Sequence, residues 1–154
     1  MYLMKITKNQ IFNEDEGLFI LNFISSKFLE QIKIPEIPNF FKLINSLYKY
    51  ERDKNKIGRL SNKVFEIYRD SLKIDNLELN CLAILTIKNL IYNKQIQNTD
   101  FNACFLIQQY KIDTLIENFT TSTNKSLSLS ASSFITIFQK SIIDLEHFDE
   151  NDFE

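Results

Sequence analysis

The chain has 154 residues, 44 % of them hydrophobic, and carries 14 Phe and 6 Tyr on a formal net charge of −2. That supply of large apolar side chains is enough to offset backbone entropy in one domain, and it argues against a disordered chain. Two Gly and two Pro are too few for hairpin-rich β architectures, and two Cys give no secreted disulfide framework.

Residues 1–12 read as a short extended piece in which Tyr2, Met4 and Ile6 alternate with other residues. This stretch lacks the apolar centre of a signal peptide. With reduced, buried thiols expected at Cys81 and Cys104, the chain reads as cytoplasmic. Asn13 then opens a helix whose first turn holds Glu14, Asp15 and Glu16, where the helix dipole favours negative charge. Ile20, Leu21, Ile24, Phe28 and Gln31 step along one side, with Leu18 and Phe23 beside them, and the helix is predicted to end near Glu30.

Pro35 and Pro38 break the pattern, because proline disfavours a helical residue before it. Asn39 is the expected cap of a second helix carrying Phe40, Phe41, Ile44, Leu47 and Tyr48 at i, i+3, i+4 spacing. A charged run over 50–56 follows, and Gly58 suits a turn. The third helix, about 60–73, buries Leu60, Val64, Ile67, Tyr68 and Leu72.

The most apolar stretch is 77–92, with Asp75 and Glu78 forming a capping-box-like start. Leu77, Cys81, Ile84, Leu85 and Ile91 form one stripe, while Leu79, Leu82, Ala83, Ile87 and Leu90 fill most of the other side. A helix apolar nearly all round belongs inside a bundle or a membrane. This one is shorter than a span of about 20 residues and carries Asn80, Lys88 and Asn89. It reads as the buried central helix.

After a polar connector at 93–98, Thr99 or Asp100 caps a fifth helix with Phe101, Cys104, Phe105, Ile112, Leu115, Ile116 and Phe119 in register. Gln108 interrupts the stripe and marks a bend. Nine of the fourteen residues in 120–133 are Ser or Thr, which compete for backbone bonds and predict a flexible loop. A last helix, about 132–147, points Phe134, Phe138, Ile142 and Leu145 inward. The fold class is all-α: an irregular single-domain bundle of about six helices around 77–92, ending in an acidic tail at 148–154.

Chemistry-bearing motifs are scarce. His147 is the only histidine, so no multi-histidine metal site can form. Gly17 and Gly58 cannot build a phosphate loop, and neither cysteine has a histidine beside it in sequence. The reading is therefore a non-enzyme without cofactor or metal.

Charge is unevenly placed. Residues 1–74 sum to +4 and residues 75–154 to −6. Beyond Lys140 the chain has only acidic charges, on Asp144, Glu146, Asp149, Glu150, Asp152 and Glu154, with Phe148 and Phe153 between them. Carboxylates can steer a basic partner while Phe residues anchor it. Asp144, Glu146, Phe148, Asp149, Glu150, Asp152 and Phe153 are the expected partner-binding residues.

In gross character (size, helicity, acidity, missing catalytic motifs) the chain resembles the small inhibitors of bacteria and phages, immunity proteins among them. No residue motif carries that resemblance. It implies a protein that neutralises a basic enzyme such as a nuclease. The alternative is a nucleic-acid-binding regulator in which the helix–Gly58–helix layout presents Arg52, Arg59, Asn62, Lys63 and Arg69 to a groove. A small-ligand carrier with a Phe-rich pocket is the third reading.

Overall fold

The computed structural model describes residues 13–54, 56–91 and 100–152, with side chains to Asp144. Among these residues every regular element is helical: α1 (Glu14–Asn22), α2 (Ser26–Gln31), α3 (Ile37–Arg52), α4 (Arg59–Lys73), α5 (Leu77–Ile91), α6 (Phe101–Gln109), α7 (Ile112–Asn118) and α8 (Lys125–Asp152). Short 3-10 turns at Ile34–Glu36 and Phe119–Thr121 complete the order. The all-α reading holds. No helix among the described residues is long and apolar enough to cross a membrane. The expected extended piece at 1–12 and the connector at 93–98 lie outside the described residues.

Backbone proximity divides the chain into two compact units, Met1–Ala83 and Ile84–Glu154, with the boundary inside α5. In the first unit Asn13 caps α1, its side chain accepting from the Glu16 N–H at 2.8 Å. The single helix expected to reach Glu30 is instead two. The first ends at Asn22 with Phe23 as its C-cap, and Ser25, in an extended conformation, accepts from the Phe28 N–H at 3.2 Å through its hydroxyl, capping α2.

Helix α3 starts before Asn39, the expected cap. Glu36 occupies the N-cap and Pro38 the first turn, where its missing N–H leaves no bond unmade. The inner faces of α3 and α4 pack together through Ile37, Phe40, Phe41, Ile44, Leu47 and Tyr48 against Leu60, Val64, Phe65, Tyr68 and Leu72, all buried. Ring contacts run continuously through this core: Phe28–Phe40 at 5.6 Å, Phe40–Phe41 at 5.2 Å, Phe41–Tyr68 at 5.9 Å, Tyr68–Phe65 at 5.4 Å and Phe65–Tyr48 at 5.3 Å. Tyr68 keeps its hydroxyl satisfied by donating to Asn45 Oδ1 at 2.7 Å. Helix α1 closes on this pair at Gly17, where an added Cβ would lie 2.8 Å from Leu60 Cδ2 and 3.2 Å from Leu47 Cδ2.

Helix α5 differs from expectation in two ways. Its cap is Asn76, one residue past Asp75, whose side chain accepts from the Leu79 N–H at 3.0 Å. Burial is also one-sided. Leu79, Ala83, Ile84, Ile87, Leu90 and Ile91 are buried, whereas Leu77 and Leu85 are exposed and Cys81 is half-buried. The buried polar residue is Asn80, which donates to the carbonyls of Ser71 at 2.8 Å and Ile74 at 3.0 Å and so satisfies the end of α4.

In the second unit Asp100 caps α6 by accepting from the Ala103 N–H at 3.0 Å. The bend expected at Gln108 falls at Tyr110–Lys111, where Lys111 takes a left-handed conformation (φ 56°) before α7. The largest correction is at 120–133, where the predicted loop is mostly helix. Asn124 accepts from the Leu127 N–H at 3.1 Å, and α8 runs unbroken from Lys125. Helix persists because Leu127, Ala131 and Phe134 are buried, and packing overrides weak propensity. Hydroxyls are absorbed locally, Ser128 donating to the Thr120 carbonyl at 2.9 Å and Thr136 to the Ser132 carbonyl at 3.0 Å.

Candidate functional site

Helix α8 has 28 residues, about 42 Å at 1.5 Å per residue. Within the unit it packs chiefly on α6, α7 and the 3-10 turn before it, all much shorter elements, and Lys88 of α5 donates to its Ser133 hydroxyl at 3.5 Å. Buried positions recur at alternating steps of four and three: Leu127, Ala131, Phe134, Phe138, Ser141. Phe134 and Phe138 stack at 5.6 Å. Ile143 and Asp144 are exposed.

The backbone stays helical through Asp152. Asp144, Glu146, Phe148, Asp149, Glu150 and Asp152 therefore occupy about two and a half turns of continuous helix, where the sequence predicted a helix end near 147 and a tail beyond. Phe153 lies outside the described residues. Five carboxylates thus share one helical backbone with no Lys or Arg among them.

The basic region is arranged differently. Arg52 meets Asp53 at 3.4 Å, Arg59 meets Glu14 at 3.4 Å and Asp15 at 4.0 Å, Lys63 meets Glu66 at 3.6 Å, and Arg69 meets Asp70 at 3.3 Å. Asn62 donates to the Gly58 carbonyl at 2.9 Å. Such surface pairs add little stability, but they cancel the local field. A phosphate backbone would find a carboxylate beside Arg52, Arg59, Lys63 and Arg69, which weakens the counterion-release driving force for nucleic-acid binding there.

One arrangement escaped the sequence reading. Glu51, only 1 % exposed, reaches from the end of α3 to the start of α4. Its Oε1 accepts from the Gly58 N–H at 2.6 Å and the Ser61 N–H at 2.8 Å, and its Oε2 from the Leu60 N–H at 3.3 Å. Burial pushes this carboxyl up, but the Ser61 hydroxyl and the three backbone N–H groups outweigh it and hold the group below its ordinary value. The signal available in sequence was a helix starting after a glycine, which has no side chain to cap it.

Other reactive groups are subdued. Burial, with help from Asp100, pushes the Cys104 thiol up to about 12, and burial with Glu78 raises Cys81. Both remain protonated at neutral pH and are poor nucleophiles. Among the described residues no three His, Cys, Asp or Glu side chains are grouped to hold a metal ion. Exposed aromatics occur at Phe19 and Phe23, which meet edge-on at 5.0 Å, and at Phe101 and Phe105. No family model, curated protein or solved structure matches this chain.

Proposed function

We propose that this chain is a non-catalytic protein-binding protein, a small acidic inhibitor of the immunity type that neutralises a basic enzyme such as a nuclease through the acidic end of α8. The observation that carries the reading is the continuity of α8: its first half is anchored by buried residues, and the same helix extends into a segment whose only charges are carboxylates. A pre-formed helix loses less entropy on binding than a coil of the same sequence. Closely spaced carboxylates without intervening cations attract a basic surface over about a Debye length. The nucleic-acid reading is the weaker one, because its cations sit beside carboxylates.

The test is affinity capture with the full-length chain and with a variant neutralised at Asp144→Asn, Glu146→Gln, Asp149→Asn, Glu150→Gln and Asp152→Asn. These changes keep side-chain size and leave the buried half of α8 untouched. The expected result is one stoichiometric basic protein retained by the native chain, eluted by salt, and lost with the neutralised variant. Equal capture by both chains would remove the acidic segment from the account. Nuclease-sensitive recovery of DNA or RNA by both would move the function to the region around Arg59 and Lys63.

A further inference from the structure

Helix α4 begins behind Gly58, whose lack of a side chain leaves the first-turn N–H groups in need of an outside acceptor. The Glu51 carboxylate is that acceptor, gathering the Gly58, Leu60 and Ser61 amides with both oxygens. Two further features shape the place around a carboxylate. A Cβ on Gly58 would sit 2.6 Å from Oε2 and 2.9 Å from Cδ, so any larger residue would collide with the bound group. The Ser61 side chain is fully buried beside it, and its hydroxyl makes no hydrogen bond.

We infer that the first turn of α4 is a monocarboxylate-binding nest, and that Glu51 is its resident, intramolecular ligand. Backbone N–H groups at a helix N-terminus bind anions readily, and here the site is closed by the chain itself. Truncation of Glu51 at Cβ removes a CH2–COO⁻ group, which matches acetate atom for atom among the heavy atoms. The vacated nest then takes acetate or formate from solution. This inference stands independently of the proposed partner.

The experiment compares thermal melts of full-length Glu51→Ala in sodium acetate and in sodium chloride at equal ionic strength, with the native chain as control. Acetate is expected to raise the Tm of the variant saturably by about 2–4 °C at roughly 100 mM and to leave the native chain unmoved. Equal shifts in both chains, or a shift in neither, would overturn the assignment. Glu51→Gln provides a readout that survives if the alanine variant does not fold. Amide exchange at Gly58 and Ser61 is expected to accelerate by at least about tenfold, with α3 unchanged; native-like rates would overturn the nest as well.

Discussion

Glu51 carries a large single-residue effect outside the apolar core, because its loss strands two buried donors, the Leu60 and Ser61 N–H groups, and the part-buried Gly58 N–H. Replacing it with Gln keeps the volume but puts an NH2 against N–H groups, and it is expected to cost about 2–3 kcal/mol of unfolding free energy, measured by urea titration. The pH dependence follows from the same contacts. The folded carboxyl ionises below its ordinary value of 4.5, so the unfolded chain binds its proton more readily. The stabilisation is complete above about pH 4.5 and fades as pH falls through the folded-state value. Native protein should therefore lose stability on acidification in this range more steeply than Glu51→Gln. Lys111 is the opposite case, a residue held at φ 56° where glycine is unstrained. Lys111→Gly is expected to raise stability by up to about 1 kcal/mol, the relief of strain exceeding the extra entropy of the unfolded glycine; a loss in the same titration would contradict this.

Among the elements, helical periodicity made α3 and α4 legible almost residue by residue, since Phe40, Phe41, Ile44, Leu60, Val64 and Tyr68 all lie in the expected core. Breaks were harder to place. Ser25 and Lys111 start new helices through a local hydroxyl bond and a single backbone conformation, which leave little trace in an apolar pattern. The Ser/Thr run misled in the other direction, because the spacing of Leu127, Ala131 and Phe134 is a stronger determinant than the propensity of the residues between. Exposed Ser132 tests this directly. In a helix, Ser132→Ala should exceed Ser132→Gly in stability by about 1 kcal/mol, whereas in a loop the two would differ little. Phe134→Ala, at the buried stack with Phe138, is expected to cost about 3–5 kcal/mol, read as a lower urea midpoint. The acidic segment was picked out from charge alone as a proposed site, and its helical backbone was expected only to about 147, because the residues beyond have too few apolar positions to set a period. The Glu51 nest joins residues through a turn and leaves no periodic signal at all.

At the scale of the whole molecule, the asymmetry of charge is the property that bears on function. The first 74 residues sum to +4 and the rest to −6, and Arg59 and Lys63 are matched locally by carboxylates. What stays unmatched by any basic residue in sequence is the end of α8. In the inhibitor reading proposed above, binding is by field and shape. The measurement that bears most directly on this account is a titration of the captured basic enzyme's activity with the full-length chain and with the neutralised variant. One equivalent of the native chain should abolish activity, and the neutralised variant should need at least about 100-fold more, given coupling of a few kcal/mol across opposed charges. Full activity in the presence of excess native chain would contradict the inhibitor reading.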